Sequence, residues 1–192
     1  NRYWLELGLT QKDISVPMKT IESVNSKIID KQCERRIFVD SPVEFMLRFE
    51  AGVNDKEFVP RDISLEKHPE VEMGEREWII SDKIIIGKDD LKNEYLRLKG
   101  FADVRIEYEK NEIKLESIEK SDERSIVHWL PIGIAREAIL VVPNEEGNSE
   151  IHGYIEDFEL VEGEIYQFER LGFARVEEIK TKKPVKLVWL HN

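Results

Sequence analysis

YQFERLGFARV, residues 166–176, decides how the chain is read, because it has the spacing of a strand and an arginine where a core residue would fit. In an extended backbone Tyr166, Phe168 and Arg170 point to one face, and Ile165, Gln167, Glu169 and Leu171 to the other. A face that begins with two aromatic rings and ends in a guanidinium has two readings. Either the arginine lies along apolar surface with its charge in water, or it holds a ligand at the sheet's edge. Because Gln167 and Arg170 are three residues apart, they reach one ligand only if the strand ends, twists or bulges near Gly172.

The same period of two runs outward from this stretch. From Arg35 onward RIFV, VEFMLRFE, REWIIS, YLRLKG, DVRIEYE, EIKLESI, SIVHWLP, REAILVV, EIYQFERL, GFARVEE and KPVKLVWL read as strands, punctuated by AGVND, KNEI and NEEGNSE. NEEGNSE, residues 144–150, reads as a flexible solvent loop, and EKSDERS, residues 119–125, as a solvated hairpin tip. Eleven strands in about 155 residues exceed one small barrel, so two barrels, or a sandwich plus a barrel, are expected. The segment before them is helical. RYWLELG ends at Gly8, a C-cap, and Ser15 and Pro17 open a second helix whose stripe of Met18, Ile21, Val24, Ile28 and Ile29 runs to about Lys31.

Composition narrows the function. The 192 residues suit one large domain or two small ones. The net charge of −11 argues against a uniformly basic coat but leaves room for a local RNA-binding patch. Cys33 is the single cysteine, so neither an intrachain disulfide nor a multi-thiolate zinc site forms, and the four histidines lack metal-ligand spacing. The apolar runs are too short to span a membrane, no secretory pattern opens the chain, and an intracellular, cytoplasmic setting fits best. NRYWLELG opens abruptly in a helix without a Met, as expected of a piece cut from a longer protein. No P-loop, GxGxxG, GxSxG or HExxH spacing occurs, so no catalytic residue is expected in this chain.

The order of KIIDKQCERRIFVDSPVEF, IGKDDL, EYLRLKGFADVRI, SIVHWLP and YQFERLGFARV resembles one family over nearly the whole chain. It is similar to the anticodon-binding region of the glutamyl/glutaminyl-tRNA synthetases, especially the archaeal and eukaryotic type of glutamyl-tRNA synthetase. The pattern R-x-F-V-x-x-P-V followed about 120 residues later by QFER-x-G-F carries most of the likeness. The resemblance implies a mainly β fold of two β-barrels, proximal and distal, preceded by a short helical connector. It sets the connector at 1–33, the proximal barrel at 34–88 and 131–192, and the distal barrel at 89–130. It implies tRNA as partner, glutamate-specific first with glutamine-specific tRNA as a further candidate, and a parent enzyme that uses ATP with Mg. The HIGH-like and KMSKS-like signatures that bind ATP in the family are absent here, so no cofactor is expected in this fragment.

Residue by residue, the resemblance places Arg35, within CERRIF, where the family contacts the middle anticodon base, and Gln167 and Arg170 at two further positions on that base. Arg97, within EYLRL, and Arg105, within DVRIEY, match arginines that approach the outer two bases. Leu96 stands where glutaminyl relatives can carry a lysine, which favours the glutamyl side. The chemistry agrees. Splayed RNA bases are read on their Watson–Crick edges. A glutamate anticodon has uridine in the middle, whose edge offers two carbonyls flanking one N–H; arginine donates only, while glutamine both donates and accepts. Arg36 should face away from Arg35 and pair with a carboxylate, Trp78 and Trp189 belong to cores, Trp129 to a core or to packing between the barrels, and His128 to a surface or interface. TKKP, residues 181–184, reads as a turn or as a phosphate contact. The rival of a different class is a double-barrel protein-interaction module that binds no RNA.

Overall fold

The period-two pattern that starts at Arg35 becomes sixteen strands in the computed structural model, which describes residues 26–48, 61–121 and 123–191. In chain order these are β1 (Arg35–Arg36), β2 (Phe38–Asp40), β3 (Pro42–Arg48), β4 (Asp62–Glu66), β5 (Glu75–Ile79), β6 (Lys83–Gly87), β7 (Tyr95–Leu98) and β8 (Asp103–Glu107). They continue with β9 (Glu112–Ser117), β10 (Ser125–Val127), β11 (Trp129–Pro131), β12 (Ala135–Asn144), β13 (Gly147–Glu156), β14 (Ile165–Phe168), β15 (Gly172–Glu178) and β16 (Val185–His191). Residues 26–30 are helical, as the apolar stripe ending near Lys31 predicts. The first expected helix, most of the second and the AGVND turn lie outside the described residues.

One seven-membered ladder runs β10-β7-β8-β9-β3-β6-β11. Its two ends are halves of one segment, 125–131, interrupted only at His128. The first half pairs in parallel with β7 and the second antiparallel with β6. The second ladder runs β1-β14-β15-β16-β12-β13-β2, and its ends are again halves of one segment, 35–40, interrupted only at Ile37. There β1 pairs in parallel with β14 and β2 antiparallel with β13. Each ladder is therefore brought nearly to closure through one kinked segment. The fold is a double β-barrel, with β4 and β5 as a separate antiparallel hairpin.

The partition differs from the expected split at 88/89. The chain leaves the second ladder at Asp40, reverses at Ser41 (φ 46°), and enters the first at Pro42. Strands β3 and β6 thus share a barrel with β7 to β11, while 35–40 and 135–191 make the other. Three further corrections concern connections. The connection from β9 to β10 is a crossover rather than a hairpin tip, because β10 returns parallel to β7; the Asp103 carboxylate accepts the Ser121 N–H at 3.1 Å and holds that end of it down. NEEGNSE is exposed, but only Glu145 and Glu146 form a turn; the rest belongs to two ten-residue strands in unbroken register from Ala135↔Glu156 to Asn144↔Gly147. The β4–β5 hairpin was only half visible: DISLE alternates, but over just two apolar residues, Ile63 and Leu65, and both are only half-buried.

Apolar alternation fills both interiors. Phe45, Leu47, Ile84, Ile86, Leu96, Leu98, Val104 and Ile113 pack one barrel; Leu140, Ile155, Phe168, Val176 and Leu187 pack the other. Trp78 and Trp129 are fully buried and meet edge to face at 5.5 Å, while Trp189 packs partly buried against the second core. Gly153 lies where β13 crosses β2, and a Cβ there would sit 2.4 Å from the Val39 carbonyl oxygen.

The break at Ile37 leaves a backbone N–H that neither ladder takes. The wholly buried Glu156 accepts it on Oε1 at 3.0 Å. Its Oε2 accepts Arg76 Nε at 2.7 Å and the Trp78 indole N–H at 2.8 Å, tying the β4–β5 hairpin to the same point. Removing one partner of such a buried ionic cluster costs about 3–5 kcal/mol because the remaining charge is stranded. Glu156→Ala should lose that much in urea unfolding; a loss below about 1 kcal/mol, the level of an exposed pair, would contradict the role.

Candidate functional site

Strand β1 carries two arginines that alternate across the sheet. Arg36 turns inward. Its guanidinium is 1% exposed, donates to Glu34 Oε2 at 2.6 Å and lies over the rings of Tyr166 (5.0 Å) and Phe158 (5.4 Å). Arg35 faces outward, directly opposite Gln167 on β14. The row continues across the ladder through Phe173 on β15 to His191 on β16. The helical residues lie over its far end, where Ser26 Oγ and His191 Nδ1 are 3.1 Å apart, and Phe173 is buried beside the His191 ring.

The near end of the row is polar and incompletely satisfied. Arg35 donates its backbone N–H to Lys67 at 2.7 Å, and Gln167 donates its own to Glu34 at 3.0 Å, so both backbones are fixed. Their side chains are not. Arg35 Nε and Gln167 Oε1 are buried without a hydrogen-bond partner, and Arg35 Nη2 stands 3.6 Å from Asp30 Oδ1. Buried polar atoms without partners are costly in a folded protein. Arg35 also lines a cleft of about 240 Å³ with Glu66, Arg76, Lys99, Gly100 and Glu169, at the meeting point of both barrels and the hairpin.

Arg170 resolves the question of the aromatic face. Strand β14 ends at Phe168, and the Leu171 N–H returns to the Phe168 carbonyl at 3.0 Å. Arg170 sits in that turn at φ 70°, followed by Gly172 at φ 107°, so it no longer belongs to the face of Tyr166 and Phe168. Its guanidinium reaches across to the other barrel. There it donates to both Asp90 oxygens at 2.8 and 2.9 Å and to the Ile126 carbonyl at 2.9 Å, while remaining 48% exposed. It spans the barrels instead of snorkelling over one.

The remaining two arginines lie on the first barrel, Arg97 on β7 and Arg105 on β8. Arg97 donates to Asp103 Oδ1 and to the carbonyls of Phe101, Ile118 and Glu119 at 2.9–3.2 Å, committing four hydrogen bonds inward to brace the crossover. Arg105 is half exposed and lies 5.6 Å from the centre of the Tyr95 ring, its cross-strand partner. Arg124 approaches the same ring at 5.4 Å. Tyr95 escaped the sequence reading although the β7–β8 register would have found it. Asp30 and His68 escaped too, since only the fold brings them to Arg35.

Glu169 joins the barrels beneath this site. Its carboxylate accepts from Lys99 Nζ and lies 3.2 Å from His128 Nε2, at the break that closes the first barrel. His128 is thus a buried interface residue. Burial pushes the Glu169 carboxyl up, but the hydrogen bonds from His128 and Lys99 push it further down, from 4.5 to about 2. A carboxylate held below its unfolded value contributes stability that is complete above about 4.5 and is lost as pH falls through about 2. Glu169→Gln should therefore flatten the stability of the chain against pH across that window in urea titrations. Slopes identical to the wild type would show that the latch carries no acid sensitivity.

Comparison with known proteins finds one family. The family model described as tRNA synthetases class I (E and Q), anti-codon binding domain, matches residues 33–129. Among curated proteins, the chain is 32% identical over 184 residues to glutamate–tRNA ligase of Methanococcus maripaludis strain C5, covering 91% of this chain and 31% of that protein. It is 32% identical over 183 residues to glutamate–tRNA ligase of Archaeoglobus fulgidus, and 29% identical over 194 residues to that of Pyrococcus abyssi, covering 91% and 95% of this chain and 30% and 33% of theirs. The chain thus spans about a third of the length of these relatives.

Proposed function

Since the chain belongs to the family of class I (E and Q) tRNA synthetase anticodon-binding domains, we propose that it reads the anticodon of a glutamate-specific tRNA through Arg35 and Gln167. The observation that carries this reading is the cross-strand pairing of those two residues with a donor and an acceptor left unbonded. A uridine edge needs donors for its carbonyls and an acceptor for its N–H, and this pair holds both. Arg170 approaches from the turn, exchanging part of its hold on Asp90 for the RNA. Arg105 serves an outer base from the exposed Tyr95 ring, whose face suits stacking. Arg97 serves the other through the crossover that it braces.

In this reading the parent enzyme attaches glutamate to tRNA in the cytoplasm, using ATP with magnesium bound by residues outside these 192. This domain adds position rather than chemistry, because holding the anticodon orients the acceptor end toward a distant active site.

Binding of a glutamate-type anticodon stem-loop and its middle-uridine-to-cytidine variant tests the assignment. One good base contact is worth about 1–3 kcal/mol, so the variant should bind about tenfold or more weakly. Equal binding would remove base reading at that position, and a preference for the glutamine-type stem-loop would move the parent to the glutaminyl side. Arg35→Ala should erase the preference while leaving thermal unfolding within a few degrees, since its ion pair is partly exposed and worth about 1 kcal/mol or less. Wild-type discrimination in Arg35→Ala would defeat the role of Arg35. Affinity should also fall with salt, at a log–log slope of about −0.7 per neutralised phosphate. A flat response would favour a protein partner instead.

A further inference from the structure

The loop between β4 and β5 carries a histidine that neither barrel ladder uses. The His68 side chain is wholly buried, and its Nδ1 accepts the backbone N–H groups of Glu70 and Val71, both at 3.0 Å. Two donors aimed at Nδ1 fix that nitrogen as the acceptor, which leaves the proton of the neutral ring on Nε2. Nε2 has no hydrogen-bond partner and lies 4.0 Å from Asp30 Oδ1. That same oxygen, also buried and without a hydrogen bond, is the one 3.6 Å from Arg35 Nη2. Asp30 therefore stands between an imidazole N–H and the guanidinium of Arg35.

We propose that His68 and Asp30 are positioning residues for Arg35, with the imidazole orienting the carboxylate and the carboxylate holding the guanidinium beside Gln167. The proposal rests on the reading of Arg35 and Gln167 as the pair that meets the middle base. A free arginine side chain has several rotamers to lose on binding, and a carboxylate fixed from behind removes part of that cost in advance. The two separations exceed hydrogen-bond length, as contacts in an unliganded site often do before the ligand tightens them. The loop itself needs only Nδ1, so Nε2 is free for this second task. Asp30 is the last of the helical residues 26–30, so the helical segment that covers the His191 end of the row also supplies the anchor at its Arg35 end.

The two nitrogens can be separated by substitution. His68→Asn keeps an acceptor where the loop N–H groups converge but removes the Nε2 donor. His68→Gln keeps a donor near Nε2 and loses the loop acceptor. Asp30→Asn, at a partly exposed position, keeps shape and removes charge. Two readouts on the 192-residue chain are needed: the ratio of uridine to cytidine stem-loop affinities, and NMR exchange of the Arg35 Nε–H without RNA. His68→Asn and Asp30→Asn should each lower the ratio about tenfold and speed Arg35 Nε–H exchange by a similar factor, about one good contact in size. His68→Gln should hold both closer to wild type despite a lower Tm. Wild-type ratio and exchange in both His68→Asn and Asp30→Asn would overturn the proposal and leave His68 a loop residue. If the wild type does not distinguish uridine from cytidine, the base reading fails, and Arg35 exchange alone decides the positioning role.

Discussion

The buried carboxylate of Glu156 lets one short segment serve both ends of a barrel. A kink in a closed sheet exposes a backbone N–H to a dry interior, and an unpaired buried amide costs about 1–3 kcal/mol. A charged acceptor answers the Ile37 N–H at 3.0 Å, but a buried charge is tolerable only when it is itself surrounded by donors. Arg76 and Trp78 supply them from the β4–β5 hairpin. One anion thus fixes the kink, the closure of the second barrel and the seat of the hairpin together.

The site inherits its geometry from that kink. Because residues 35–40 divide at Ile37, β1 can run parallel to β14 while β2 runs antiparallel to β13, and the parallel half sets Arg35 opposite Gln167. The hairpin held by Glu156 brings Lys67 and His68 to the same place, where Lys67 accepts the Arg35 N–H. The first barrel repeats the device at His128, whose ring meets Glu169 from the second barrel. Both breaks therefore point at the junction, and the junction is where the cleft lies. Arg170 adds a third link there through Asp90 and Ile126.

What could be read from the sequence follows the range of the interactions. Alternation is local, so eleven strands, the buried tryptophans and the opposite fates of Arg35 and Arg36 were all legible. Closure is not local. Nothing in RRIFVD or SIVHWLP marks Ile37 or His128 as the residue where a strand changes partners, so each was read as one strand; β4, β6 and β13 were not read, and the split between barrels was drawn at a different place from the sheet order. The family likeness named Gln167 and Arg35 without their geometry, and the register joined them. It also named Arg97, whose inward bonding to Asp103 and three carbonyls no pattern in EYLRL reveals. Asp30 and His68 were invisible because they stand 38 residues apart in the chain and meet only through the fold.

The account is tested most directly by asking which side chains lie beside the middle base in the complex. A glutamate-type anticodon stem-loop carrying 4-thiouridine at that position should, on irradiation, attach to peptides containing Arg35 or Gln167 when mapped by mass spectrometry. Attachment elsewhere on the second barrel, or to the first barrel alone, would contradict the claim that this cross-strand pair does the reading.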